Sequence, residues 1–234
     1  MKSFYLPNNA ARLVVLQRIE LIGSFLKRIR KLFGRNFFTN IITKYFLDSK
    51  HIGIKYYEVM QTEFDTFKKY INFDEDKLFL SIGGGLGGLE LVINENLSNK
   101  DYYFIERNFV SKKVKYGWGG KINNEAYNNL GIQKEFLENN GMQNSQINIF
   151  DYDKDKLPVQ KFDVIISLLS LDYHYDFEVY IEYLREISNP HTKIIFDTIR
   201  HDHFLKVFKN VKVLATQKNT IHKSKRILCS QFLK

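Results

Sequence analysis

The stretch Leu78-Phe-Leu-Ser-Ile-Gly-Gly-Gly-Leu-Gly-Gly-Leu-Glu90 decides the fold of this chain. A short apolar run leads into a glycine-rich turn and then into a second apolar segment, which predicts a buried strand, a tight turn and a helix. Glycines at 83, 85, 87 and 88 allow a tight backbone turn and a close approach of ligand to main chain. The following helix presents unpaired N–H groups and a partial positive charge. The stretch therefore predicts a site for a nucleotide-like ligand.

The glycine spacing fits two templates. Gly83, Gly85 and Gly88 match the G-x-G-x-x-G turn that binds dinucleotides. Gly83, Gly85 and Gly87 match the G-x-G-x-G turn found in enzymes that use S-adenosylmethionine. The spacing alone leaves both cofactors open.

The segments after the turn carry acids at the ends of predicted strands. Asp101-Tyr-Tyr-Phe-Ile-Glu106 predicts a second strand, and its final acid can accept hydrogen bonds from ribose hydroxyls. A helical stretch from Asn123 to Asn140 precedes a third strand, Gln146–Phe150, which Asp151 closes. The phrase Lys156-Leu-Pro-Val-Gln-Lys-Phe-Asp-Val-Ile-Ile-Ser167 predicts a turn and a buried fourth strand. Strands alternating with helices predict a parallel sheet with helices on both faces.

These four motifs, in this order, resemble the class I S-adenosylmethionine-dependent methyltransferase family from about Leu78 to Ile199. The resemblance implies an α/β fold, Rossmann-like and doubly wound, with a mostly parallel seven-stranded sheet. It also implies an antiparallel C-terminal hairpin and a helical N-terminal extension. Under it, Glu106 binds the ribose and Asp151 lies near the adenine. The other implied cofactor-binding residues are Gly83, Gly84, Gly85, Gly87 and Leu169.

The chain departs from the family pattern at two places. Ser81 stands where family members often carry an acid that helps to place the loop and the amino-acid end of the cofactor. Ser188-Asn-Pro-His-Thr192 replaces the Pro-Gly-Gly turn that usually precedes the fifth strand, although Asn-Pro still predicts a turn.

The sequence divides into a helical N-terminal segment, residues 1–75, and a cofactor-binding domain, residues 76–234. Apolar spacing predicts helices over Leu13–Phe33, Phe37–Leu47 and Tyr56–Tyr70. In methyltransferases of this shape, such a segment covers the carboxyl ends of the strands and shapes the substrate pocket. At the other end of the chain, Val211–Thr216 and Lys225–Phe232 predict the antiparallel hairpin.

Composition limits the classes of protein. The 234 residues are 44% hydrophobic, which is enough for a packed core and excludes a disordered chain. Cys229 is the single cysteine, so the chain can form neither an internal disulfide nor a cysteine-based zinc cluster. Arg18 and Glu20 interrupt the N-terminal apolar stretch, so we expect no membrane span and no signal peptide. A cytoplasmic location is the expectation.

The net charge is +9, and positive residues cluster in two places. A solvated basic surface is one explanation, and attraction of an anionic substrate is the other. The chain shows no arginine-rich tail, zinc knuckle or aromatic RNA-binding signature, so we rank a small anionic molecule above RNA. The clusters are Lys27, Arg28, Arg30, Lys31 and Arg35, and Lys112, Lys113, Lys115 and Lys121.

The loop Ser167-Leu-Leu-Ser-Leu-Asp-Tyr-His-Tyr-Asp176 follows the fourth strand, where ligands of open α/β sheets bind. The unperturbed pKa of a histidine side chain suits a general base, so His174 could take the proton from an acceptor hydroxyl. Asp172 or Asp176 could orient its imidazole. Tyr173 and Tyr175 could line an acceptor slot. A purely structural role for His174 in the loop is the alternative.

Two further segments offer candidate residues. Asp197, near the end of the fifth strand, could supply a base or bind a cation together with His201 and His203. These histidines are two residues apart at the start of a predicted surface helix and need not share a face, so we expect no metal. Arg200 could contact the substrate. Trp118, in the glycine-rich segment 116–127, could form a lid or a stacking surface. This segment and the Tyr-His-Tyr loop together are similar to bacterial methyltransferases of sugar or capsule modification.

The sequence therefore predicts an O-methyltransferase that uses S-adenosylmethionine and a small acceptor. The acceptor is expected to be anionic or sugar-containing, such as a phosphorylated or nucleotide-linked sugar. The alternatives are an NAD-dependent oxidoreductase or epimerase, and a non-catalytic or RNA-methylating domain of the methyltransferase type.

Overall fold

The structure is a computed structural model, and it describes residues 2–97, 99–111, 126–173, 175–216 and 223–233. Its centre is a seven-stranded sheet. The strands are β1 Leu78–Ile82, β2 Asp101–Glu106, β3 Ile147–Asp151, β4 Val164–Ser167, β5 Lys193–Thr198, β6 Phe208–Thr216 and β7 Lys225–Phe232.

The strand order is β3-β2-β1-β4-β5-β7-β6, and it confirms the predicted sheet. β1 runs parallel to β2 and β4. In turn, β2 pairs in parallel with β3, and β4 pairs in parallel with β5. β7 is antiparallel to both β5 and β6, as the predicted hairpin requires. The chain order reverses between β1 and β4, so a crevice opens at their carboxyl ends, where ligands of such sheets bind.

Helices cover both faces of the sheet. Short 3₁₀ turns at residues 19–21, 68–70, 144–146 and 177–179 connect several of them. The α-helices are α1 Asn8–Gln17, α2 Ser24–Phe37, α3 Thr43–Tyr45, α4 Ser49–Asp65, α5 Gly88–Asn96, α6 Leu130–Asn139, α7 Ile181–Glu186 and α8 His201–Phe204, and a π-helical turn, Phe38–Ile42, joins α2 to α3. Gly34, with φ 83° and ψ 170°, interrupts the helical backbone within α2.

The N-terminal helices differ from their predicted bounds. The predicted helix Leu13–Phe33 is wrong as one element, because the backbone of Arg18 is extended (φ −135°, ψ 87°) and separates α1 from α2. Arg18 leaves the helical path and its guanidinium pairs with Glu63 on α4, 3.3 Å away. The predicted helix Tyr56–Tyr70 begins earlier, at Ser49, because the Asp48 side chain caps it by accepting from the His51 N–H.

Two further bounds differ from the predictions. α4 ends at Asp65, and Lys68–Tyr70 forms a separate 3₁₀ turn. Within the predicted stretch Asn123–Asn140, the described helix starts at Leu130, where the Asn129 side chain accepts from the Ile132 N–H. Residues 123–125 lie outside the described part of the chain.

Two apolar layers enclose the sheet because neighbouring strand residues point to opposite faces. On β1, Phe79 joins the core shared with α1, α4, α5 and α6, while Leu80 joins the core under α7 and α8. On β5, Ile195 joins the same core as Phe79, and Phe196 joins the same core as Leu80. The N-terminal helices therefore share one core with the sheet. Of the helices that the structure describes, none is long and apolar enough to cross a membrane.

A buried arginine joins the N-terminal helices to the sheet. Arg226 on β7 is 2% exposed, and its Nε donates to Asp197 on β5 over 3.0 Å. The same guanidinium forms an ion pair with Glu63 on α4, and its Nη1 donates to the Thr66 hydroxyl over 2.9 Å. Two carboxylates thus surround one guanidinium where three elements meet.

We predict that Arg226→Met destabilises the fold by about 3–5 kcal/mol, because it leaves Asp197 and Glu63 buried without their shared partner. Urea unfolding followed by circular dichroism measures the change. Lys209→Met, an exposed position on neighbouring β6, should cost less than about 0.5 kcal/mol. A cost for Arg226→Met no larger than that of the control would show that the buried pair does not stabilise the junction.

Candidate functional site

A cleft lies at the carboxyl ends of β1, β2 and β4, and the strand order reverses between β1 and β4. The glycine turn forms its floor, and the loop after β4 forms one wall. The end of α1 closes another side, as the expected position of the N-terminal segment implies. The lining residues are Leu16, Gln17, Arg18, Ile82, Gly83, Gly84, Gly85, Ile105, Glu106, Arg107, Ala126, Tyr127, Asn128, Tyr152, Leu168, Leu169, Ser170, Tyr175 and Tyr180.

The glycine turn is shaped by neighbours that leave no space for side chains. Gly83 and Gly85 have φ values of +65° and +71°, which L residues rarely adopt. A Cβ on Gly83 would overlap the Ser170 hydroxyl, and a Cβ on Gly85 would overlap the Gln17 amide. Because these neighbours are flexible polar groups, a ligand that displaces them can approach the main chain.

Gly87 has a different role from the other glycines of the turn. It is the N-cap of α5 with φ +83°, and a Cβ there would press against Phe104 of β2 and Leu137 of α6. The next residue, Gly88, donates its N–H to the buried Tyr56 hydroxyl over 3.2 Å. Gly87 therefore holds the helix against the sheet and is not among the cleft-lining residues.

Glu106 brings a carboxyl group to the cleft at the end of β2. Its Oε1 accepts from the Gly85 N–H over 2.6 Å, which ties the second strand to the glycine turn. Burial raises the pKa of Glu106 to about 8, although the Gly85 N–H opposes that rise. At neutral pH the group is therefore mostly protonated, and a ligand that donates hydrogen bonds would favour its ionised form.

Glu90 is a buried acid beside the glycine turn, at a position that the family pattern does not predict. Glu90, in the first turn of α5, is as buried as Ser81, the residue that replaces the usual acid. Its Oε1 would lie 3.5 Å from a Cβ at Gly84, and burial raises the pKa of the group. In the described structure Glu90 Oε2 has no hydrogen-bond partner. The chain thus has a buried carboxyl group next to the glycine turn, but Glu90 on α5 supplies it and not the residue at position 81 on β1.

The loop after β4 places some of the predicted residues in the cleft. Leu169, with φ +56°, and Tyr175 line it. Burial raises the pKa of Tyr175 to about 12. The guanidinium of Arg107 lies 5.7 Å from the ring centre of Tyr175. His174 and Trp118, the predicted base and lid residue, lie outside the described residues.

Asp172, predicted to orient His174, and Arg200, predicted to contact the substrate, bind each other. The Asp172 carboxylate accepts from Arg200 Nε over 2.9 Å and from the Thr198 hydroxyl over 2.5 Å. Arg200 also lies 3.3 Å from the carboxylates of Asp176 and Glu178. Neither Asp172 nor Arg200 is among the lining residues. Their ion pair holds Asp172 at φ +60° and so shapes the loop.

Asp151 and Tyr173 also fall beside the cleft and not on its lining. Asp151 pairs with Glu106 in the sheet register, so it ends the neighbouring strand at the same level. Its carboxylate accepts from the Asp153 N–H over 3.1 Å and lies 3.7 Å from Lys154 Nζ. Tyr173 donates its N–H to the Ser170 carbonyl over 3.1 Å, within the loop.

The structure adds cleft residues that sequence reasoning missed. Gln17 donates from Nε2 to the Tyr127 carbonyl over 2.8 Å, which links α1 across the cleft. Asn128 donates to the Gly85 carbonyl over 3.0 Å. Arg107 pairs with Asp153 over 3.0 Å and stacks over Tyr152. Of these three residues, only Arg107 could have been predicted from the sequence, because it directly follows Glu106, the acid expected to bind ribose.

Asp197 and His201, the alternative catalytic candidates, lie apart from the cleft lining. Asp197 is fully buried against Arg226, and His201 Nδ1 lies 2.9 Å from the Asp202 carboxylate. Within the described ranges no three His, Cys, Asp or Glu side chains are grouped as metal ligands.

Comparisons with solved structures place the fold. The N,N-8-amino-8-demethyl-D-riboflavin dimethyltransferase RosA from Streptomyces davawensis matches with TM-score 0.53 and 14% identity, over 96% of this chain and 70% of its own. The precorrin-6y C5,15-methyltransferase from Geobacter metallireducens covers 80% of this chain and 90% of its own, with TM-score 0.45 and 14% identity. StiE O-MT residues 961–1257 cover 77% and 74%, with TM-score 0.47 and 11% identity.

The comparison of folds rests on RosA, whose TM-score exceeds 0.5. No protein-family model matches the sequence, and no curated protein does. The strand order and the antiparallel β7 agree with this likeness. The chain therefore has the Rossmann-like α/β fold of class I methyltransferases, as the sequence resemblance predicted.

We predict that Glu106 makes the ligand-free fold less stable as pH rises. Its pKa is about 8 in the fold and about 4.5 when exposed, so between these values the folded state binds more protons than the unfolded state. Stability should fall by up to about 1.4 kcal/mol per pH unit in that window and level off above pH 8. Urea unfolding from pH 5 to 9 measures the slope.

Glu106→Gln removes the titration and should flatten this part of the profile. Glu135→Gln, at an exposed position on α6, should leave the slope as it is in the parent protein. Parallel profiles for the parent and Glu106→Gln would show that the Glu106 carboxyl does not titrate abnormally.

Proposed function

We propose that this protein transfers a methyl group from S-adenosylmethionine to a small-molecule acceptor. The observation that supports it most is Glu106, a buried carboxyl group that bonds to the glycine turn at the point where the strand order reverses. A ribose diol offers two hydroxyl donors to such a group. The glycine turn beside it permits close approach of the rest of the cofactor.

The chain's own groups fit the parts of that cofactor. The bound cofactor supplies an electrophilic methyl group on a sulfonium. Gly83, Gly84 and Gly85 bring the main chain to the amino-acid end, and Leu169 covers the nucleoside. Asp151 would accept from the adenine amine, which requires its carboxylate to turn away from Lys154.

On the acceptor side we propose His174 as the base that takes the proton from an acceptor hydroxyl. Tyr175 lines the cleft, and we assign Tyr173 and Trp118 to the same acceptor slot. Because Asp172 and Arg200 bind each other, we assign their pair to holding the loop in position for His174. Methyl transfer then needs the hydroxyl to be held close to the methyl carbon and in line with it.

We propose that the acceptor is anionic or sugar-containing, for example a phosphorylated or nucleotide-linked sugar. The net charge of +9 supports a negatively charged partner. Arg107 supports it within the cleft, where its guanidinium lies beside Tyr175 and Tyr152. Nucleic acid is the competing anionic partner.

The NAD-dependent alternative finds less support in the fold. A dinucleotide-binding sheet has the order 3-2-1-4-5-6 in two similar halves. Here the antiparallel β7 separates β5 from β6.

We predict that S-adenosylmethionine and S-adenosylhomocysteine bind and that NADH does not, as measured by isothermal titration calorimetry. Glu106→Ala should weaken binding by at least about 10-fold, because it removes charge-assisted hydrogen bonds, each of which is worth about 1.5–3 kcal/mol. Glu135→Ala, on the surface of α6, is the matched control and should bind as the parent does.

The affinity of the parent should also rise with pH up to about 8, since ribose hydroxyls favour the ionised Glu106. Binding of NADH without S-adenosylmethionine would refute the proposal. Unchanged affinity in Glu106→Ala would remove this residue from the site.

We predict that His174→Ala lowers methyl transfer by about 10²- to 10⁴-fold, the usual contribution of a general base. The assay follows radioactive methyl transfer from S-adenosylmethionine to a panel of sugar phosphates, nucleotide sugars, phenols and tRNA. Cofactor affinity should stay the same, because the imidazole serves the acceptor. His191→Ala, in the exposed turn before β5, is the control. Near-normal turnover in His174→Ala would exclude it as the base.

A further inference from the structure

Helix α2 and the residues around it form a segment with positive charge and no acid. From Leu21 to Leu47 the sequence contains no Asp or Glu, whereas Glu20 and Asp48 flank it on both sides. The basic residues of this segment are Lys27, Arg28, Arg30, Lys31, Arg35 and Lys44. The first basic cluster lies on α2, and Lys27, Arg28, Arg30 and Lys31 are not among the cleft-lining residues.

The same helix exposes large apolar side chains. Phe25 is 71% exposed, Leu32 78% and Phe33 63%. Tyr45 at the end of α3 and Phe46 just after it are also exposed, at 72% and 62%. Water-exposed phenylalanine and leucine side chains concentrated in one segment indicate a contact with another surface.

The orientation of α2 explains which side chains remain exposed. Leu26 and Ile29 are partly buried and pack on the core beneath the helix. Phe25, Arg28 and Leu32 have the spacing i, i+3, i+7 and therefore share one stripe of the helix. Apolar and basic groups thus alternate along this stripe. We call Phe25 and Leu32, with Arg28 and Lys31, the α2 surface.

The α2 surface has the chemistry of a helix that lies in a membrane interface. Such helices insert Phe and Leu side chains among the acyl chains and keep Lys and Arg at the level of the headgroups. Arg and Lys stems reach the headgroups while their apolar neighbours insert. Anionic lipids then attract each positive residue near the surface.

Charge argues against a second copy of the chain as the occupant. In an isologous contact the α2 surface would meet itself, and Arg28 would lie among like charges in a segment without a carboxylate. An anionic lipid surface instead neutralises every basic residue and accepts the apolar ones.

We propose that the α2 surface docks this protein reversibly on a membrane that contains anionic lipids. Arg18, which lines the cleft, is separated from α2 by the short turn of residues 19–21. Docking through α2 would therefore bring one end of the cleft close to the lipid surface. The inference depends on α2 alone, and it stands or falls separately from the proposed methyl transfer.

The test is co-sedimentation of the full chain with vesicles of phosphatidylcholine, alone or mixed with phosphatidylglycerol. We expect binding to the mixed vesicles and little binding to phosphatidylcholine alone. Phe25→Ser together with Leu32→Ser should weaken binding by about tenfold for each side chain. Arg28→Glu together with Lys31→Glu should weaken it by more than about 20-fold.

Two control variants carry the same kinds of change elsewhere. Leu205→Ser, at a position that is 51% exposed, and Lys209→Glu on β6 should bind vesicles as the parent does. Circular dichroism of every variant should match the parent, because the changed side chains are exposed. These controls separate loss of docking from loss of folding.

Three results would overturn the proposal. The first is no binding to mixed vesicles. The second is binding that Phe25→Ser with Leu32→Ser leaves unchanged, which would indicate simple adsorption of positive charge. The third is a dimer in analytical ultracentrifugation that the same two substitutions abolish, or a complex with tRNA that excludes vesicles, since either would assign the α2 surface to another partner.

Discussion

The position of the cleft depends on one buried guanidinium. Arg226 holds the carboxylates of Asp197 and Glu63, and so connects the sheet to α4. Glu63 in turn pairs with Arg18, which lines the cleft and ends α1. Because each charge is costly to bury alone, the four groups are stable only together. A chain of paired charges therefore fixes where the N-terminal helices meet the carboxyl ends of the strands.

In the candidate site, burial changes the protonation of a carboxyl group that could bind a ligand. Glu106 is held by the Gly85 N–H, but its environment still favours the protonated form. A ligand that donates hydroxyl groups would supply the hydrogen bonds that the ionised carboxylate needs. Glu90 on α5, also buried and beside the glycine turn, is a second carboxyl group whose pKa is raised by burial. The site thus keeps acids in a poorly solvated place, which is common where proteins bind and react.

Sequence reasoning succeeded where the signal is local. The strand before the glycine turn and the acid of Glu106 follow from short patterns that backbone geometry requires. The Asn-Pro turn before β5 is of the same kind. It failed at Arg18, where a helical pattern is interrupted by an ion pair with Glu63, far away in the chain. It could not foresee the pair of Asp172 and Arg200, because the partners lie on loops after different strands.

The sequence by itself determined the order of strands and helices, the glycine turn and the acids at the strand ends, because period, turn chemistry and chain order act between near neighbours. Only the tertiary structure decided which side chains face the cleft. It turned Gln17 and Asn128 toward the glycine turn. It also exposed Phe25 on α2 beside basic residues. These outcomes depend on packing and charge pairing between distant segments, and no local pattern in the chain records them.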